Sequence, residues 1–211
     1  MVTSQEMNDL LNDPAYCSAF GFAPATIKAM FIPNTYEVYW NISAEKLIER
    51  MKREYDNFWT EDRRNKAQNI RLTPLEVSIL ASIIEEESAV TDEYSTIAGL
   101  YINRLYRGIP LQADPSLKYA IGDFTIQRVL NEHKLIDSPY NTYLYSGLPP
   151  GPLRIPSLKG LESVLNYQKH NYLYMCAKED FSGRHNFAVT LAEHNRNAER
   201  YHAELNRRGI R

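Results

Sequence analysis

The segment from Leu72 to Ser88, LTPLEVSILASIIEEES, constrains this chain more than any other stretch. Thr73 is a strong N-cap, and Pro74 suits the first helical position because its φ is already helical and no N–H is needed there. Glu76 follows the cap by three residues, completing a capping box. A helix starting at Pro74 is predicted. Leu80, Ile83, Ile84 and Glu87 are separated by three- and four-residue steps and share one otherwise apolar face. Glu85 and Glu86 are rotated from Glu87 by roughly 200° and 100°, toward solvent or an edge.

A carboxylate on an apolar face loses hydration, and the C-terminal end of a helix adds the negative end of its dipole. Both effects raise the pKa of Glu87 and suit it to act as a general acid near neutral pH. Periodicity alone leaves two other readings open. Glu87 pairs with a buried arginine, or the three glutamates are a solvated charge run at a helix end.

Around this helix the chain reads as one helix-rich α+β protein with a small antiparallel sheet. Residues 3–12 suggest a short helix broken at Pro14, and Ser43 caps an amphipathic helix with Leu47, Ile48, Met51, Tyr55 and Phe58 inward. A charged segment, 61–71, leads into the helix at Pro74. Thr91 or Asp92 opens a further helix with Tyr94, Ile97, Ala98, Tyr101, Ile102 and Leu105 inward and Gly108 at its stop. The short link makes this helix a neighbour of the preceding one, walling one side of the Glu87 site. Short helices are expected near 116–121 and 125–133, and a stiff proline loop over 147–152. Ser157 caps a helix with Leu158, Leu161, Val164 and Leu165 inward. Strands are expected at 172–177 and 185–189, and a last helix over 191–208.

Composition excludes several classes of function. A formal charge of −2 over 211 residues gives no case for nucleic acid or an anionic membrane surface as partner. Two cysteines form neither a metal pattern nor a disulfide framework. His185, His194 and His202 lack paired ligand spacing, so no metal or cofactor is expected, and His133, His170 and His202 read as surface or hydrogen-bonding side chains. No Gly-x-Ser-x-Gly elbow or phosphate-cradling glycine loop occurs. No stretch reaches the roughly 18 apolar residues of a membrane span, and the first residues lack a signal-peptide pattern. Fifteen tyrosines, several of them mixed with Asn, Gln and Ser over 112–146, suit either a carbohydrate cleft or an aromatic core.

Several blocks, taken in order, carry a resemblance: ASIIEEES at 81–88, INRL at 102–105, LQADPS at 111–116, YNTY at 140–143, GLPPGP at 147–152 and HNF at 185–187. The ordered set resembles the YceG-like endolytic murein transglycosylases (MltG family) over roughly residues 26–211. The resemblance implies a bacterial enzyme that cleaves peptidoglycan, with Glu87, second Glu of a Glu-x-Glu-Thr/Ser motif, as catalytic residue. Glu85, the motif's first Glu, and Ser88 are then supporting residues. Relatives often carry a basic residue at the position of Glu86 and Thr at that of Ser88. Ser88 keeps the hydroxyl, while Glu86 adds negative charge near Glu87.

Family members usually have an N-terminal transmembrane anchor and a LysM-like domain outside the cytoplasmic membrane. By resemblance, this chain is a catalytic fragment, with 1–60 a partial N-terminal region and 61–211 the catalytic domain. The full-length protein would act at the extracytoplasmic face of the cytoplasmic membrane, with peptidoglycan strands as substrate and peptidoglycan synthases as candidate partners.

The implied reaction is non-hydrolytic cleavage between N-acetylmuramic acid and N-acetylglucosamine, leaving 1,6-anhydro ends. Gln112, Tyr140, Asn141 and Tyr143 are candidates for holding the acetamido sugars, with Asp114, His185 and Asn186 as further substrate-binding candidates. A hydrolase would need a second carboxylate, for which Asp114 is the candidate, unless it only caps the following turn or helix. A glycan-binding module without chemistry is the third reading.

Overall fold

The computed structural model describes residues 2–126 and 129–209. Its helices are α1 (Ser4–Asn12), α2 (Pro14–Ala19), α3 (Ala44–Phe58), α4 (Glu61–Asn69), α5 (Pro74–Glu87), α6 (Tyr94–Tyr106), α7 (Asp114–Ile121), α8 (Leu158–Leu165) and α9 (Leu191–Arg207). Strands β1 (Tyr174–Ala177) and β2 (His185–Ala188) pair antiparallel, Met175 opposite Phe187 and Ala177 opposite His185. The α+β class expected from the sequence is found. Among the described residues no helix is long and apolar enough to cross a membrane.

The chain forms two compact units, one of residues up to Ile83 with Leu148–Leu165, the other of Ile84–Gly147 with the residues from Asn166 onward. In the first unit, α3 buries Ile48, Met51, Tyr55 and Phe58 as its stripe, while Leu47 is only half-buried. Residues 61–69, expected only as a charged linker, form α4. Thr60 caps it, accepting from Arg63 N, and its acidic first turn suits the positive end of the helix dipole. Arg63 pairs with Glu162 of α8 at 2.8 Å. Helical propensity and capping thus made a helix where hydrophobic periodicity gave no signal. In α8, Leu161, Val164 and Leu165 are buried as expected, but Leu158 is exposed at the first turn.

The capping box of α5 is present, with Thr73 N donating to Glu76 Oε2 at 2.7 Å and Glu76 N to Thr73 Oγ1 at 3.2 Å. Val77 to Ile83 are all buried, including Ser78 and Ser82, so this helix has no solvent face over two turns. Its small polar residues are satisfied internally. Ser82 Oγ donates to Ile79 O at 2.7 Å and accepts from Leu153 N at 3.0 Å, tying the proline loop to the helix.

In the second unit α6 is the scaffold. Gly99 lets the segment at 168–170 lie directly on the helix, because a Cβ there would stand 2.3 Å from Gln168 O. The segment is held by Gln168 N to Ser95 O, His170 Nε2 to Thr96 O, and the Asn103 amide to His170 O and Tyr172 O. His170 is therefore a hydrogen-bonding histidine. Beyond this segment the β1–β2 hairpin packs against α9. Strand pairing begins at Tyr174 rather than Tyr172, since Tyr172 belongs to the stretch laid on α6.

The helix expected over 125–133 includes residues 127 and 128, which lie outside the described residues. The described residues from Val129 to Glu132 are non-helical, followed by a short 3-10 turn at His133–Leu135. Asp123 instead closes a side-chain turn on Thr125, accepting from its N–H and hydroxyl.

Candidate active site

A cleft of about 470 Å³ lies within the second unit, with Glu87 in its wall. Glu87 is the last residue of α5, one turn beyond Ile83 and Ile84. It keeps some accessibility, as a cleft-lining residue must, but the surrounding protein strips most water from its carboxyl. This desolvation pushes its pKa up to about 7. The Tyr101 hydrogen bond opposes that rise, nearby Asp114 adds to it, and Lys118 opposes it weakly.

Tyr101 sits midway along α6, buried, and its hydroxyl donates to Glu87 Oε1 at 2.6 Å. Burial and the adjacent carboxylate hold the phenol well above its usual pKa, so it is a fixed donor. Arg104, one turn further along α6, donates from Nη2 to Gln112 Oε1 at 2.6 Å. Gln112 has a positive φ of 53°, unusual for a side chain with a Cβ, and its N–H donates to Thr142 O.

The loop facing α6 is held by a buried polar cluster. Thr142 Oγ1 accepts from Ala113 N at 3.0 Å and lies 2.7 Å from Ser116 Oγ. Asp114 opens α7 and accepts a short hydrogen bond from the Tyr143 hydroxyl, which burial and that carboxylate hold far above its usual pKa. Asp114 does not cap the helix through its side chain; it joins Tyr143 in the cleft wall.

Of the site residues expected from the sequence, Glu87, Gln112, Asp114, Tyr143 and His185 line this cleft together. His185 Nδ1 lies 2.9 Å from Glu93 Oε2, and its N–H donates to Glu93 Oε1, so the ring orientation is set from α6's N-terminal side. The other five expected residues do not line the cleft. Asn141 is 0% exposed. Its amide group donates to Lys134 O and Ile136 O and accepts from Tyr143 N, bracing the loop behind Tyr143. Tyr140 packs on Tyr119 at 4.7 Å between ring centroids. Asn186 donates to Glu179 Oε2. Ser88 accepts from Val90 N, shaping the exit from α5, and Glu85 is half-buried on a different face from Glu87.

Tyr101, Arg104, Lys134, Tyr174 and His194 line the cleft without having been named as site residues from the sequence. For Arg104 a signal existed. With Ile97 and Tyr101 it follows four- and three-residue steps, so a charge lies on an apolar helical stripe, as for Glu87. Tyr174 and His194, stacked at 5.5 Å, come together only through packing of β1 on α9. Burial and Arg104 keep the His194 pKa below its ordinary value. Among the described residues no group of three or more His, Cys, Asp or Glu is arranged to hold a metal ion.

The arrangement is a carboxyl of raised pKa in a desolvated wall, fixed on one oxygen by a phenol, beside a cleft lined by aromatic and amide groups. It can hand a proton to a bound ether oxygen and take one back.

The model of the YceG-like family matches residues 2–200. A Bacillus subtilis protein named endolytic murein transglycosylase is 36% identical over 164 residues, 78% of this chain and 44% of the relative. A Streptococcus pneumoniae protein of the same name is 36% identical over 186 residues, 85% of this chain and 33% of the relative. The chain thus spans less than half the length of the curated relatives it matches. A crystal structure of a yceG-like protein from Listeria monocytogenes superposes with a TM-score of 0.76 at 28% identity, covering 92% of this chain and 67% of that one.

Proposed function

The chain belongs to the YceG-like family, and on that basis we propose that it is the catalytic part of a peptidoglycan lytic transglycosylase. The observation that carries the reading is Glu87, a cleft carboxyl raised to about 7 and held by Tyr101 at one oxygen. Such a group is substantially protonated at neutral pH. Tyr101 occupies Oε1, leaving Oε2 to carry the proton.

The cycle needs one carboxyl. Glu87 protonates the oxygen linking C1 of N-acetylmuramic acid to N-acetylglucosamine, and the C1–O bond breaks with its electron pair leaving on that oxygen. The Glu87 carboxylate then removes the proton of the muramoyl C6 hydroxyl, whose oxygen bonds to C1. Glu87 ends protonated as it began, and no water is consumed. Gln112, Asp114, Tyr143 and His185 position the glycan, while Asn141 and Ser88 support the elements that carry the site. Tyr140, Asn186 and Glu85, which do not line the cleft, complete the proposed set.

The relatives' names support endolytic cleavage within strands. The wider proposal places the full-length protein at the outer face of the cytoplasmic membrane, trimming nascent strands beside a peptidoglycan synthase. In functional terms, 61–211 is the catalytic domain and 1–60 a partial N-terminal region.

The test is mass spectrometry of fragments from purified glycan strands treated with wild type and with Glu87→Gln. Anhydro-muramoyl ends from wild type alone are expected. Reducing ends carrying an added water would replace the reading with a hydrolase using Asp114. Binding without any product from either protein would leave a glycan-binding module.

A further inference from the structure

The mechanism above uses the carboxyls of the cleft and gives no task to its cations. Arg104 is 7% exposed and lines the cleft. Apart from the bond to Gln112 it has an aromatic neighbour, with Cζ 5.6 Å from the Tyr174 ring centre, and its Nε is buried without an acceptor. Among the described residues no carboxylate pairs with it, whereas arginines 50, 63, 184, 200, 207 and 208 all do. Lys134, in the same cleft, has its Nζ 5.0 Å from the Tyr143 ring centre and likewise pairs with no carboxylate.

Withdrawing a guanidinium from water without a counter-charge is costly, and neutral amide and aromatic neighbours offset only part of that cost. An exposed arginine without an acidic partner keeps its water; this buried one, facing an open cleft, has neither full hydration nor a counter-charge. Its planar fork matches a carboxylate. A glycan of N-acetylglucosamine alone offers no anion, whereas a muramoyl residue carries an acidic substituent.

We propose that Arg104 recognises a carboxylate of the substrate, so that the cleft selects acidic, muramoyl-containing glycan over neutral N-acetylglucosamine polymers. This rests on the transglycosylase reading for the glycan, and it adds the specificity-determining group. The carboxylate has two possible sources: the lactyl group itself on peptide-free strands, or the acidic groups of a stem peptide on substituted ones. A purely structural Arg104, serving only to hold Gln112, would affect stability and leave ligand preference unchanged.

The experiment is an NMR titration of the wild-type chain and of Arg104→Gln with N-acetylmuramic acid, muramyl dipeptide and N-acetylglucosamine, with thermal unfolding of both proteins alongside. Loss of a charge-assisted pair corresponds to roughly tenfold in affinity. We expect wild type to favour an acidic ligand over N-acetylglucosamine by about that factor, and Arg104→Gln to lose the preference while still binding N-acetylglucosamine. Preference for N-acetylmuramic acid identifies the lactyl carboxylate; preference for the dipeptide alone identifies the stem peptide. Equal binding of all three by wild type, or an unchanged preference in Arg104→Gln, overturns the proposal. Should Arg104→Gln fail to fold, Arg104→Lys replaces it, keeping the charge without the fork, and a weakened preference is then expected, an unchanged one being contrary. The readout is binding rather than bond cleavage, so its failure is distinct from a failure to form anhydro ends.

Discussion

The hydroxyl of Tyr101 donates to Oε1 of Glu87 at 2.6 Å, joining the middle of α6 to the last residue of α5. The bond favours the carboxylate against a desolvation that favours the acid. Tyr101→Phe removes the opposing influence, so the Glu87 pKa rises further. Activity that needs the protonated acid falls as pH rises through about 7 in wild type; in Tyr101→Phe that falling limb moves to higher pH. Loss of the orienting bond lowers the plateau rate by roughly tenfold. A pH–rate profile of both proteins checks the shift, and an unmoved limb would remove Tyr101 from the proton inventory.

Glu87 also taxes the fold. Its pKa rises from 4.5 to about 7 on folding, so the folded chain binds the proton more tightly than the unfolded one. Below pH 4.5 both states are protonated and there is no penalty. Between 4.5 and about 7 stability declines as pH rises, and above that the full penalty, on the order of 3 kcal/mol, is present. Glu87→Gln removes the charge and keeps the shape. It should be inactive, more stable than wild type at pH 8, and near wild type at pH 4 by thermal unfolding. Equal stabilities at both pH values would mean that the carboxyl is well solvated.

Asn141→Ala tests a bracing role against a sugar-contacting one. The substitution strands two backbone carbonyls and the N–H of Tyr143. Leaving buried groups unsatisfied costs about 1–3 kcal/mol each. A destabilisation of at least about 2 kcal/mol by denaturant unfolding is expected, together with lower activity as Tyr143 and Asp114 lose their placement. A variant of wild-type stability with a raised KM alone would restore Asn141 as a substrate contact.

Gly99→Ala probes the close approach of 168–170 to α6. The new Cβ would meet a backbone oxygen at 2.3 Å, which no side-chain rotation relieves. Overpacking of this kind costs about 1–3 kcal/mol. Thermal unfolding should fall accordingly, even though alanine is the better helix former.

Local chemistry carried much of the fold in readable form. The Thr73–Glu76 capping box, the Ser43 cap and, Leu47 apart, the stripe of α3 are written in residues a few positions apart, and each appears where the sequence predicts it. Helix α4 was obscured because capping and propensity, rather than apolar spacing, form it. The short helix expected over 125–133 failed at its described end, where Asp123 and Thr125 prefer a side-chain turn.

The site divides the same way. Glu87 was legible because helical periodicity puts a charge among aliphatics, and its burial and the upward direction of its pKa follow from that placement. Asn141 and Tyr143, two residues apart in an irregular loop, could not be told apart by composition, yet one is sealed behind the wall and the other lines it. Nor could the sequence bring Tyr101 to Glu87, Arg104 to Gln112 or Tyr174 to His194, since these contacts depend on how separate elements pack. Residues close in sequence report on their own helix through fixed geometry. Which partner each distant hydroxyl, guanidinium or ring meets was decided only when tertiary packing fixed α6, the start of α7, the segment at 141–143, the hairpin and α9 around one cleft.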